Sequence, residues 1–103
     1  MADFALTILT PAGKVYEGRA EAIVAPGVLG SLGVLAHHAP MVTGLASGVV
    51  KITDQNGAKF FTVDSGVLEI DKGNKVVVLV EQALASASYE EAKSKLTELV
   101  SKR

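Results

Sequence analysis

All ten glycines and all three prolines of this chain fall within residues 1–85, and the runs between them are rich in Val, Ile, Thr and Phe. Punctuation at such short intervals leaves no room for long helices and points to many short strands joined by tight turns. From Phe4 to Thr10, Phe4, Leu6 and Ile8 alternate with Ala5, Thr7 and Leu9, and Pro11-Ala12-Gly13 then turns the chain. From Val15 to Ala25 the charges of Glu17, Arg19 and Glu21 alternate with smaller residues before Ile23 and Val24, which predicts one strand with a wet and a dry face. Asn56-Gly57 lies between Val49–Thr53 and Phe60–Val63 and predicts a hairpin with positive φ at both turn positions. A second hairpin is expected where Asp71-Lys72-Gly73-Asn74 joins Val67–Ile70 to Val76–Val80, a run apolar on both faces and therefore central. Closely spaced strands with no helices between them predict an antiparallel β-sandwich or flattened barrel over residues 1–85.

The pattern changes in residues 86–103. Ser88 and Glu91 stand in the S-x-x-E relation of a capping box, and Tyr89, Ala92, Leu96, Leu99 and Val100 fall on one helical stripe. Glu91 with Lys95, and Glu98 with Lys102, are spaced for i, i+4 pairs on the wetter side. The spacing predicts a helix over residues 89–101, about 20 Å long at ~1.5 Å per residue. So short a helix is marginal alone and must dock on the sandwich or on another chain.

Composition bounds the remaining choices. At 103 residues with 49% apolar and 20% charged side chains, the chain is one globular domain. A chain of this size buries roughly two thirds of its unfolded surface, enough for a core unaided by metals or disulfides. Zero cysteines exclude a disulfide framework, a thiolate zinc site and a cysteine nucleophile. Ten basic against eleven acidic residues, with no basic stripe, argue against nucleic acid. No apolar stretch of about 18 residues occurs and the N-terminus lacks signal-peptide order, so a soluble, cytosolic chain is expected.

The chemistry-bearing residues are few. His37 and His38 are adjacent, and neighbours in extended backbone point to opposite sides, so they do not readily share a metal. A metal-binding protein or small enzyme using His37 or His38 is the alternative reading, with Glu21 and Asp54 the nearest carboxylates in sequence. No serine lies in a G-x-S-x-G elbow. Gly27, Gly30 and Gly33 invite a phosphate-loop reading, but the run continues into Val34-Leu35 and no G-K-[ST] follows. Val28, Leu29 and Leu32 set among those glycines fit a surface that meets another protein. Five aromatics, Phe4, Tyr16, Phe60, Phe61 and Tyr89, are too sparse for a base-stacking platform.

The stretch Gly30-Ser31-Leu32-Gly33-Val34-Leu35 followed by His38-Ala39-Pro40 resembles the G-x-L-G-V-L-x-x-H-A-P signature of the epsilon subunit of F-type ATP synthases. Val15 to Gly18 resembles that family's V-Y-E-G segment, Gly66 to Ile70 its G-V-L-E-I, and Val76 to Ala83 its last sandwich strand. The resemblance, from about Leu6 to Ala85, implies a sandwich of about ten short strands followed by helix, and a non-catalytic rotor role in the central stalk. It implies that His38, Ala39, Pro40, Met41 and Thr43 lie toward the gamma subunit. Val28, Gly30, Ser31, Leu32 and Gly33 would meet the c-ring. No cofactor is expected, and the place implied is the cytoplasmic face of the bacterial inner membrane. Three departures from the family pattern stand out. Ser31 replaces a frequent acidic residue, which leaves apolar contact by Val28 or Leu32 in place of an ion pair. One helix stands where two are usual, which implies little inhibition of hydrolysis. The [IL]-D-x-x-R-A nucleotide pattern is absent, so ATP sensing is not expected. The isolated chain is expected to be monomeric.

Overall fold

A computed structural model describes residues 2–101. Ten strands and one helix follow in chain order: β1 (Phe4–Thr10), β2 (Gly13–Ala20), β3 (Ala22–Gly27), β4 (Gly30–Leu35), β5 (Met41–Leu45), β6 (Gly48–Asp54), β7 (Gly57–Val63), β8 (Gly66–Asp71), β9 (Lys75–Val80), β10 (Ala83–Ser86) and α1 (Tyr89–Ser101). The strands run in the order β10-β7-β6-β3-β5-β8-β9-β1-β2, with β4 on β3. The bend between the two layers falls at β3–β5, where a single register pair, Gly27 with Leu45, joins them.

Period-two alternation sends Phe4, Leu6 and Ile8 of β1, Ile23 and Ala25 of β3, Val50 and Ile52 of β6, Leu68 and Ile70 of β8, and Val76 and Val78 of β9 into one shared core. Leu45, Val34, Phe61 and Val63 complete it, and the Tyr16 ring meets Phe61 edge-on at 5.9 Å. Asp64, buried at the β7–β8 bend, accepts hydrogen bonds from the Ser47 hydroxyl at 2.7 Å and the Ser65 N–H at 2.8 Å, which ties two bends together.

Three details differ from the sequence reading. The stretch from Val15 to Ala25 is two strands, because the chain breaks at Glu21, whose N–H donates to the Thr53 carbonyl at 2.8 Å as the chain leaves β2. One pair in the sandwich, β1 with β9, is parallel, and that pairing makes β9 central between β1 and β8. In the β6–β7 hairpin the two turn residues are Gln55 and Asn56, since Asp54 pairs with Gly57, and positive φ falls on Gly57 alone at 117°. The same device closes β1–β2, where Gly13 follows Pro11-Ala12 at φ 127°. Glycine carries the strained residue just past the turn and leaves the tip free for any side chain.

α1 spans the expected residues and lies on the outer face of β6, β7 and β10. Ala92 and Leu99 are its buried residues, while Tyr89 and Val100 stay largely exposed despite sharing the apolar stripe. The buried Thr62 hydroxyl donates to the Ala92 carbonyl at 2.5 Å, and the Lys95 ammonium donates to the Ala85 carbonyl at 2.7 Å. At the helix start the Glu91 N–H donates to the Ser88 hydroxyl at 3.2 Å. The Glu91 carboxylate reaches back to the Ala87 N–H at 3.4 Å, one residue before the position an ideal capping box satisfies. Glu91 and Lys95 pair at 3.2 Å, whereas the Glu98–Lys102 pair lies outside the described residues. Among the described residues no helix is long and apolar enough to cross a membrane.

Candidate docking surfaces

The β3–β4 hairpin is built to hold an apolar tip outward. Gly27 pairs with Gly30 across the two turn residues Val28 and Leu29, and Gly30 takes φ 130°. A side chain at Gly27 would meet the Gly30 carbonyl at 2.6 Å, so the close crossing requires glycine there. The tip is braced on β5: the Val28 N–H donates to the Gly44 carbonyl at 3.0 Å, and the Ala46 N–H donates to the Pro26 carbonyl at 2.7 Å. Leu29 is 100% exposed and Val28 60%. Gly30, Ser31 and Gly33 are exposed beside them, while Leu32 packs against the core and holds the strand.

The histidine-proline corner follows β4. His37 sits at φ 65°, held there by its N–H donating to the Asn74 side-chain oxygen at 2.7 Å. The other end of that amide donates to the Asp3 carbonyl at 2.9 Å, so Asn74 clamps the corner to the start of β1. Nδ1 of His38 lies 2.8 Å from the Ala39 carbonyl, a contact that requires the proton on Nδ1. Ala39 and Pro40 are exposed, His38 and Thr43 half-buried, and Met41 packs against the core. Among the described residues no group of three or more His, Cys, Asp and Glu side chains converges.

These two segments are joined by a largely apolar face, with exposed Glu69 opposite Val42, that the sequence reading did not single out. Val42 is 67% exposed between Met41 and Thr43. The Val28 side chain lies over Gly44. Register then carries the row outward from Gly44 to Val67 of β8, Leu79 of β9 and Leu9 of β1. Val67 and Leu79 remain substantially exposed, and a shallow cleft of about 420 Å³ lined by Leu9, Pro11, Val67 and Leu79 ends the row. The clue to this face lies in β5, where Met41 to Leu45 offers no charged residue on either side, so alternation alone could not name the solvent face.

The remaining surfaces are of different character. A polar cleft of about 530 Å³ holds Tyr16, Arg19, Asp54 and Lys59. There the hydrogen bond from the Lys59 ammonium keeps the Asp54 carboxyl below its usual range, and burial pushes the Tyr16 phenol up. Its cations are committed to Asp54 and to Asp3, which pairs with Arg19 at 2.6 Å. An apolar groove of about 460 Å³ runs between α1 and the β3–β4 hairpin, lined by Val24, Pro26, Val49, Tyr89 and Leu96 with Lys51 and Lys93.

A braced hairpin with an apolar tip, a clamped corner and a largely apolar sheet face between them define a small β-sandwich with a candidate docking surface. The chain belongs to the ATP synthase delta/epsilon family: the family described as "ATP synthase, Delta/Epsilon chain, beta-sandwich domain" matches residues 3–86. It is 37% identical over 87 residues to the ATP synthase epsilon chain of Acidithiobacillus ferridurans, a match covering 84% of this chain and 61% of that one. To the sodium-ion-specific ATP synthase epsilon chain of Propionigenium modestum it is 40% identical over 84 residues, covering 82% of this chain and 61% of the relative. The chain thus spans about three fifths of the length of these relatives. A chain in the Euglena gracilis mitochondrial ATP synthase OSCP/F1/c-ring structure shares the fold with a TM-score of 0.77 at 21% identity, covering 98% of this chain and 66% of that one. A chain of the Tetrahymena thermophila mitochondrial ATP synthase central stalk/c-ring structure gives 0.67 at 16% identity, covering 96% and 91%.

Proposed function

We propose that this chain is a non-catalytic rotor subunit in the central stalk of an F-type ATP synthase, coupling proton or sodium flow to ATP synthesis. Its sandwich, residues 1–85, binds the gamma subunit through the corner His38, Ala39, Pro40, Met41 and Thr43. The apolar row beginning at Val42 extends that surface. The tip, Val28 with Gly30, Ser31, Leu32 and Gly33, meets the c-ring, Leu32 contributing from behind by fixing the strand. Residues 86–103 form the helical segment, and no cofactor takes part. The protein sits at the cytoplasmic face of the bacterial inner membrane, held there through the complex.

The observation that carries this reading is the continuity of the exposed apolar surface from Val28 across Gly44 to Val67 and Leu79, on the beta-sandwich domain of the ATP synthase delta/epsilon family. Exposed valines and leucines in one row are the mark of a protein-facing surface. Mixing the chain with purified gamma tests it. A stoichiometric complex on gel filtration is the expected result, and two separate peaks at micromolar concentration contradict it.

A further inference from the structure

Resting on the gamma reading above, we infer that Asn74 is a positioning residue for docking: its side-chain amide holds His37 in the left-handed region and so sets the direction in which His38, Ala39 and Pro40 meet gamma. The starting observation is a pair of backbone outliers that touch. Among the described residues, His37 at φ 65° and Asn74 at φ 62° are the two non-glycine residues with positive φ, and the His37 N–H donates to Asn74 Oδ1 at 2.7 Å. Asparagine tolerates that region through its short polar side chain, whereas a histidine stays there because its surroundings hold it.

The corner has little else to define it. Ala36 before it and Met41 after it pack against the core, and His37, His38, Ala39 and Pro40 cross the surface between them. Pro40 offers no N–H and confines Ala39 to extended backbone, so the direction of the crossing is decided at His37. The hydrogen bond from the His38 N–H to the Leu35 carbonyl at 3.3 Å stays inside the turn. Among the described residues, Asn74 supplies the hydrogen bond that reaches the corner backbone from elsewhere in the chain.

Asn74 is itself fixed from several directions. Its Nδ2 donates to the Asp3 carbonyl at 2.9 Å, and an obligate donor at one end of the amide with an obligate acceptor at the other determines which way it points. Its backbone carbonyl accepts from the Ala5 N–H at 3.3 Å, at the start of the parallel β1–β9 pair. The Asp71 carboxylate accepts from the N–H groups of Gly73 at 2.8 Å and Lys75 at 3.2 Å, on either side of Asn74. Asp3 in turn is pinned by Arg19, whose Nε and Nη2 donate to its carboxylate at 3.0 and 2.6 Å. One amide thus ties the corner to the β8–β9 turn and to the start of β1, and a corner ordered before gamma arrives loses less freedom on binding.

The test titrates purified gamma from the organism that supplies the chain against the full chain and its variants. Asn74→Gly deletes the amide but suits the left-handed position, so the β8–β9 hairpin is kept. It is expected to bind gamma about tenfold more weakly than the wild type. The NMR coupling between the His37 N–H and Hα, which reports φ, is expected to leave its wild-type value in that variant. Asn74→Asp keeps an oxygen for the His37 N–H and is expected to bind more tightly than Asn74→Gly. Thr62→Val, which removes a hydrogen bond on the α1 side, keeps wild-type affinity, and so separates positioning from a general loss of stability. Wild-type affinity or an unchanged His37 coupling in Asn74→Gly, no gain from Asn74→Gly to Asn74→Asp, or an equal loss in Thr62→Val overturns the positioning role while leaving the gamma reading intact. A wild-type chain that does not bind gamma overturns the gamma reading, and the positioning role with it.

Discussion

The glycines of the signature separate into those the fold requires and those it does not. At Gly66 a side chain would meet the Leu79 carbonyl oxygen at 1.9 Å and the Val80 Cα at 2.8 Å, both backbone atoms that cannot step aside. Gly66→Ala should therefore destabilise the sandwich by about 3 kcal/mol or more, seen as a large fall in Tm. Gly33 stands in open space with an ordinary φ, so Gly33→Ala should change stability by less than about 1 kcal/mol. A loss of c-ring affinity in Gly33→Ala at unchanged Tm assigns that glycine to docking. An equal fall in Tm for both variants would mean that Gly33 belongs to the fold.

At the scale of elements, α1 is tied to the sandwich by hydrogen bonds from Thr62 to Ala92 and from Lys95 to Ala85, and each can be removed singly. Thr62→Val keeps shape but deletes the hydroxyl donated to Ala92, which should cost about 1 kcal/mol, read as earlier loss of helical signal on heating. Its start responds to acid. The hydrogen bond from Lys95, then that from the Ala87 N–H, holds the Glu91 carboxyl below its usual 4.5. A depressed carboxyl stabilises the fold above its unfolded value, and that contribution is lost as pH falls through the folded value. Circular dichroism should show α1 loosening below about pH 4.5, and Glu91→Gln should remove that acid transition. An identical acid profile in Glu91→Gln would place the transition elsewhere.

The same elements show what was legible beforehand. α1 was read to its exact bounds because Ser88, Glu91 and the stripe from Ala92 to Leu99 agree in phase. Strand existence followed from punctuation, but the split at Glu21 did not, because charge alternates without a break from Glu17 to Glu21. The parallel β1–β9 pair left no local mark, since it joins residues far apart in sequence. The tip and corner were visible as apolar residues among glycines and beside Pro40. Leu29 stood out there with Val28 and Leu32, but Val42 was not singled out, because only the fold reveals which apolar side chains of β5 face outward. Asn74 was read as a turn residue. Its clamp on His37 depends on a tertiary contact that no local pattern encodes.

As a whole molecule, the described residues make their ion pairs outside the uncharged span of residues 22–50, whose tip and corner are exposed while Ile23, Ala25, Val34, Leu45 and Val50 enter the core. Under the proposed function, coupling depends on fit between rigid apolar faces rather than on a reacting group. Val42 is the most direct probe of that claim, being 67% exposed on the face continuous with the corner and paired in register with Glu69. Val42→Lys places a cation opposite that carboxylate, which preserves the strand pair while replacing the apolar side chain of the proposed docking face with a solvated one. Titration of purified gamma against wild-type and Val42→Lys chains should show tight stoichiometric binding weakened about tenfold or more by the substitution at unchanged Tm. Binding that is absent in the wild type, or equal in the two chains, would contradict the account.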